Sequence, residues 1–277
     1  SGWTGSMLSY TARLLERNHY VTDIFSVFDT APSLPRTENP KHLDLKSTPT
    51  IIFENVSFRY QGQEKFALKN ISFELKPGEK LGLVGDNGSG KSTLAIRMLL
   101  RIHDPTEGRI LVNGIDLREL NIEEWLSCLG VLPQDYATYN FTVAESIAIG
   151  KIDKPIEMAV VEKSARQSTA DSFINTLPNK YEHQIGVEFG DNAIEPSKGE
   201  RQKLAIAKSL YREPYILVLD EPTASIDSSS SALIFKEIEN LSENRSAILI
   251  SHNFATIKRA TKIFVLKDGE IVEKGTK

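Results

Sequence analysis

Gly85-Asp86-Asn87-Gly88-Ser89-Gly90-Lys91-Ser92-Thr93 decides how the rest of this sequence reads. It matches G-x-x-x-x-G-K-[ST], a loop that cradles phosphates. The surroundings are the ones the motif needs. An apolar run, Leu81–Val84, leads in, and an amphipathic stretch, Lys91–Leu100, leads out. The loop therefore joins a buried strand to a helix. Its glycines let the backbone wrap a phosphate chain without side-chain clashes. The exposed N–H groups and the helix N-terminus then bind anionic oxygens. Lys91 is expected to reach the β- and γ-phosphates of a nucleotide, and Ser92 to ligate Mg²⁺. A chance glycine-rich turn before a helix would explain the letters but not this context.

A phosphate loop needs a partner carboxylate for the metal. Tyr215-Ile216-Leu217-Val218-Leu219-Asp220-Glu221 supplies one at the end of an apolar run. Asp220 should emerge at the C-terminal edge of a buried strand, where open α/β sheets bind ligands. It is expected to hold Mg²⁺, through water. Glu221 stands next in line as a general base for an attacking water. An Asp-Glu pair alone would read as a solvated strand end; beside the phosphate loop it reads as the second half of the site.

Further out, Val56, Phe58 and Tyr60 alternate, as do Ile71, Phe73 and Leu75. Both runs suggest half-buried antiparallel strands. Leu81–Val84, Leu129–Leu132, Tyr215–Leu219 and Ala247–Ile250 are short and nearly all apolar, which suits a buried parallel sheet. Helical stretches lie between them, at Lys91–Leu100, within about 142–180, at Arg201–Leu210 and at Ser229–Leu241. Late strands at Ile263–Leu266 and Glu270–Val272 are split by the turn residues Asp268-Gly269. The pattern is that of an α/β domain with a mainly parallel sheet, an antiparallel edge region and a helical insertion.

Residues 8–28 read as a helix, with Val21, Ile24, Phe25 and Phe28 at helical spacing, ending near Ala31-Pro32. Residues 32–49 are rich in proline and polar side chains and read as a linker. The expected organisation is a helical segment over 1–31, a linker over 32–49 and an α/β domain over 50–277, with a helical subdomain over about 135–205. A length of 277 residues accommodates one domain with an appendage. The net charge of −4 offers no electrostatic reason to expect a nucleic-acid partner. The single cysteine, Cys128, excludes an internal disulfide and reads as a small buried hydrophobe. No run of about 18 apolar residues occurs, so no segment of this sequence reads as a bilayer span.

Asp220-Glu221-Pro222-Thr223-Ala224-Ser225-Ile226-Asp227 resembles the Walker B and D-loop of ATP-binding cassette (ABC) ATPases. Other residues match that family in chain order. Tyr60 resembles the aromatic that stacks on adenine. Gln134, in Leu132-Pro133-Gln134-Asp135, resembles the Q-loop glutamine at the metal and at the transmembrane contact. His252, in Ile250-Ser251-His252-Asn253, resembles the switch histidine at the γ-phosphate. Each has an ordinary reading by itself: a strand aromatic, a loop residue, a satisfied histidine. Their joint order over about residues 50–277 favours the family. The resemblance implies a P-loop NTPase of ABC type with ATP and Mg²⁺ as cofactors. Lys91, Glu221 and His252 would then be catalytic, and Ser92, Gln134 and Asp220 would sit at the metal. Asp227 reads equally as a helix cap and as a dimer contact. A guanine-specific Asn-Lys-x-Asp motif is missing, which disfavours a GTPase.

The departures from the family are as informative. The family's signature, usually Leu-Ser-Gly-Gly-Gln, completes the site of the opposite subunit. Here the aligned stretch is Pro196-Ser197-Lys198-Gly199-Glu200, which agrees only at Ser197 and Gly199. Ser197 and Glu200 form a capping-box pattern, so the helix should survive. Glu200, however, brings negative charge to a place meant for a γ-phosphate, Lys198 replaces a glycine, and Pro196 removes an N–H. Phe189-Gly190-Asp191-Asn192-Ala193 also fits an exporter-type segment only at Gly190 and Asp191. A catalytic Glu221 beside a degenerate signature resembles one subunit of a heterodimeric exporter. Asp23–Pro35 resembles the junction after a last transmembrane helix, and Gly275-Thr276-Lys277 resembles a cut end. The expected partners are a second nucleotide-binding domain, with a heterodimer favoured, and the transmembrane domain of the same chain. The expected place is the cytoplasmic face of a membrane. A soluble ABC ATPase acting on a macromolecule, or a dimerisation module with little turnover, are the alternatives.

Overall fold

The computed structural model describes every residue except 1, 30–33, 35–36, 138, 187–192, 241–244, 252–256, 259 and 277. The chain divides into two compact units, Ser1–Arg36 and Thr37–Lys277. The first unit is one helix, α1 (Gly2–Phe28). Val21, Ile24, Phe25 and Phe28, the stripe expected at helical spacing, are all exposed. Among the described residues no helix is long and apolar enough to cross a membrane.

The stretch expected as a linker, 32–49, is split by the boundary between the units. From Thr37 onward its polar groups find partners within the second unit. Thr37 Oγ1 donates to the Arg118 carbonyl at 2.7 Å. The Lys41 N–H donates to the Glu119 carbonyl at 2.8 Å. His42 Nδ1 lies 2.6 Å from a Glu124 carboxylate oxygen. Composition marks such a stretch as irregular, but specific hydrogen bonds make it part of the unit.

In the second unit, β1 (Ile51–Phe58) lies between β2 (Leu68–Leu75) and β4 (Glu107–Val112), with the short β5 (Ile115–Asp116) beyond. All pairings are antiparallel. The inward residues of β1 are Ile51 and Phe53, then Val56 and Phe58. The alternation skips a residue because the register shifts between Phe53 and Val56, where Asn55 takes φ 49°.

The second sheet has the order β10-β9-β3-β8-β7-β6. Its strands are β3 (Lys80–Val84), β6 (Leu129–Leu132), β7 (Ile216–Asp220), β8 (Ser246–Ile250), β9 (Lys262–Lys267) and β10 (Glu270–Thr276). Only β10 runs antiparallel, against β9. Every residue of β7 and β8 is buried, as the continuous apolar runs require of strands covered on both faces. β8 separates β3 from β7, so the phosphate loop after β3 and Asp220 at the end of β7 flank one crevice.

The helix leaving the phosphate loop is π-helical over Thr93–Met98 and buries Leu94, Ala95 and Met98. The short α2 (Ile122–Ser127) buries Trp125, whose indole N–H donates to the Leu99 carbonyl at 2.7 Å. A helical subdomain follows from α3 (Val143–Ala148), α4 (Met158–Gln167), α5 (Asp171–Ile174) and α6 (Lys198–Tyr211). Its core joins Val143, Ile147, Val161, Ile174, Ala207 and Tyr211. The opposite side of α6 packs Ile206 and Leu210 on Leu217, Leu219 and Leu249 of the sheet. Each such side chain contributes roughly 1.5–3 kcal/mol on full burial. α6 thus belongs to both cores and fixes the helical subdomain against β7. α7 (Ser228–Asn240) closes the same side, with Ile234 and Phe235 buried.

Candidate nucleotide site

At Gly85 the backbone of the phosphate loop has no room for a side chain. Gly85 takes φ 149°, and a Cβ there would run into the Leu266 carbonyl and come 2.8 Å from Ser89 Oγ. The Gly269 N–H donates to the Ser89 carbonyl at 3.1 Å, so the β9–β10 turn supports the loop from below. Lys91 is 6% exposed. Its Nζ donates to the carbonyls of Gly85 and Asp86 at 2.7 and 2.8 Å. A buried ammonium is costly unless hydrogen-bonded, and here the loop's own backbone supplies the bonds. Burial still pulls its pKa below the ordinary value, opposed by the carboxylates of Asp220, Glu221 and Asp86.

Ser92 Oγ donates to Asp220 Oδ2 at 2.6 Å, which joins the start of the loop helix to the end of β7. Asp220 is 4% exposed. Glu221 follows in the left-handed region at φ 49°. Such a backbone costs a residue with a Cβ roughly 1–2 kcal/mol. The surroundings hold it there: the Glu221 N–H donates to the Ile250 carbonyl at 2.9 Å, and its carbonyl accepts from Gln202 Nε2 at 2.9 Å.

Lys91, Ser92, Asp220 and Glu221 line a cavity of about 520 Å³ together with Tyr60, Asn87, Gly88, Gly90, Thr93 and Gln134. That volume lies in the usual range for small-molecule sites. Tyr60 OH lies 3.1 Å from Thr93 Oγ1. Its ring meets Phe58 and His103 edge-on, at 4.8 and 5.5 Å between centroids. Sequence reasoning missed the remaining wall, which comes from Gln63, Lys65 and Phe66 after β1 and from Asp268 at the β9–β10 turn. Lys65 Nζ and Asp268 Oδ1 are 3.2 Å apart. Asp268-Gly269 carried a turn signal, but nothing in the sequence pointed to its place beside Lys65. His252 lies outside the described residues, as do Phe189, Gly190, Asp191 and Asn192.

A family profile described as ABC transporter matches residues 68–224, more than half of the chain. The chain belongs to the ABC transporter family. It carries that family's ATPase domain. Among similar proteins, the human ATP-binding cassette sub-family B member 5 is 36% identical over 253 residues, 91% of this chain and 20% of that protein. The ATP-dependent lipid A-core flippase of Escherichia coli K12 is also 36% identical over 253 residues, 91% of this chain and 42% of that protein. A bacterial Atm1-family ABC exporter with ATP bound superposes with a TM-score of 0.83 at 33% identity, covering 92% of this chain and 43% of that one. The chain therefore spans less than half the length of these ABC proteins.

In this ABC domain Pro196–Glu200 does not line the 520 Å³ cavity. Lys198 lines a second, open cleft of about 480 Å³ with Arg201, Gln202 and Ser225, while Gln134 and Glu221 line both. Ser197 caps α6: its Oγ accepts from the Glu200 N–H at 3.3 Å, and Glu200 Oε2 accepts from the Ser197 N–H at 2.8 Å. The capping box read from the sequence is formed. α6 begins at Lys198, three residues ahead of the expected Arg201, because the capped turn is already helical.

Proposed function

We propose that this chain binds and hydrolyses ATP to drive substrate export, working with a membrane-spanning domain at the cytoplasmic face of a membrane. The observation that carries the reading is the Ser92–Asp220 contact of 2.6 Å, facing Lys91 and Glu221 in a single cavity. The likeness to exporters and flippases named above supports the direction of transport.

The Ser92 hydroxyl, the Asp220 carboxylate and the Gln134 side chain offer an oxygen donor set. That set suits Mg²⁺, which takes few protein oxygens and completes its shell from phosphates and water. These three side chains would hold the ion, which would supply positive charge to the phosphates during transfer. The rest falls to this chain's own residues. Tyr60 offers a ring face to adenine. The N–H groups from Gly88 to Thr93 and the Lys91 ammonium bind the phosphates. Glu221 takes a proton from the attacking water. His252 contacts the γ-phosphate, and Ser197, Lys198, Gly199 and Glu200 face the nucleotide of a second domain.

That second domain is a different chain in this proposal. Pro196–Glu200 is altered and capped on itself, whereas Glu221 is retained. A partner with an unaltered signature would complete the site around Lys91 and Glu221. The test is phosphate release from Mg-ATP by this chain alone and with a candidate partner, with Glu221→Gln as control. A rise on mixing that Glu221→Gln abolishes supports the reading. Full turnover by the chain alone contradicts the heterodimer. No turnover with any partner, despite ATP binding, contradicts hydrolysis.

A further inference from the structure

Gln202 is 3% exposed and lies one turn into α6. Both ends of its amide are used, and both bonds go to the segment after β7. Nε2 donates to the Glu221 carbonyl at 2.9 Å, and Oε1 accepts from the Ser225 N–H at 2.9 Å. A carbonyl on one side and an N–H on the other fix the orientation of the amide. One turn earlier, Gly199 packs on the same segment: a Cβ there would lie 2.8 Å from the Ser225 carbonyl. The first turns of α6 and residues 221–225 are thus locked together within one chain. The locked segment begins with Glu221, whose left-handed backbone is held from one side by Ile250 and from the other by Gln202.

We propose that Gln202 is a positioning residue for Glu221. By clamping the left-handed peptide it sets the direction in which the Glu221 carboxylate leaves the backbone. The start of the signature helix then governs the hydrolytic geometry of its own chain, besides facing a partner's nucleotide. A shift of the first turn of α6, which would meet a second subunit through Lys198 and Glu200, is transmitted to the base through the Gln202 bond to the Glu221 carbonyl. The inference rests on the reading of Glu221 as general base.

The test uses the 277-residue chain mixed with the candidate partner that raises its turnover, and four variants of this chain: Gln202→Ala, Gln202→Glu, Glu221→Gln and the Gln202→Ala/Glu221→Gln pair. Gln202→Glu keeps the size and the acceptor for Ser225 but loses the donor to Glu221, so it serves if the alanine variant folds poorly. Each single Gln202 variant should lower kcat at least about tenfold, with KM for Mg-ATP held within about twofold, because a misdirected base affects the chemical step and not binding. In the Glu221→Gln background, Gln202→Ala should change residual turnover by less than about twofold, since the group it positions is gone. Amide hydrogen exchange should quicken over residues 221–226 and stay unchanged over 85–93. This last readout needs no turnover. Exchange over 221–226 unchanged by either Gln202 variant would overturn the inference. So would a Gln202 effect of equal size in the Glu221→Gln background. A loss on Glu221→Gln without one on Gln202→Ala defeats the clamp alone. Full turnover by Glu221→Gln defeats the general-base reading, and the inference with it.

Discussion

The helix that opens at Lys91 after Gly90 carries Ser92 inside its first turn, the helix after Pro196 carries Ser197 at its cap, and the two serines are used in opposite ways. Ser92 makes no cap; its hydroxyl donates across the crevice to Asp220 at 2.6 Å. Ser197 is spent on its own helix, accepting from the Glu200 N–H while Glu200 answers through the Ser197 N–H. A helix start that keeps its side-chain cap gains stability. One that withholds it leaves N–H groups and positive dipole for an anion. The same fold element is thus a binding site in one place and a closed end in the other. Around Ser92 the neighbouring cation, Lys91, is buried inside the loop. Around Ser197 a lysine, Lys198, is joined by the Glu200 carboxylate, which opposes a phosphate.

The largest expected effect separates chemistry from binding on the open side. Glu221→Gln should lower ATP turnover about 100-fold or more while retaining ATP, as expected for loss of a general base. Phosphate release and nucleotide affinity, measured on the same sample, check it. Next, Lys91→Ala removes a charged donor to phosphate. ATP affinity should fall roughly 10- to 100-fold, in keeping with about 1.5–3 kcal/mol for hydrogen bonds to charged groups. Displacement of a fluorescent nucleotide reads this directly.

The pH dependence of Lys91 sharpens the contrast further. Its pKa is lowered, chiefly by burial. Between that value and the ordinary one the unfolded chain binds a proton that the folded chain lacks, so stability rises with pH across the window. ATP favours the charged ammonium, so its affinity should fall over the same window. Wild type compared with Lys91→Ala in alkaline titrations should show the opposed trends, and both should vanish in the variant. The smallest effect belongs to the closed helix. Ser197→Ala should cost about 1 kcal/mol, or roughly 2–4 °C in Tm, with little change in ATP affinity.

Much of this was legible in the sequence, for a physical reason. Phosphate binding allows few residue types at fixed spacing, so Gly85–Thr93 announces itself. Continuous apolar runs mark β3, β6, β7 and β8 because strands buried on both faces need them. The Ser197–Glu200 capping box is local and was readable too. What escaped depends on distant pairing. Lys65 and Asp268 meet only after β9 and β10 fold back beside the loop. Gln202 reads as a polar helix residue until α6 is laid against the turn after β7. The skip in β1 escaped because a bulge at Asn55 interrupts simple alternation. The linker 32–49 was read from composition, which does not register the bonds that Thr37, Lys41 and His42 make.

The central claim is that this chain holds a competent hydrolytic half and presents a closed signature. The most direct test repairs the signature with Lys198→Gly and Glu200→Gln and compares Mg-ATP turnover with that of the unaltered chain, each protein alone. Two repaired copies could then complete each other's sites, so turnover should rise, and adding Glu221→Gln should remove the gain. Turnover unchanged or lowered by the repair, with ATP affinity intact, would contradict the account.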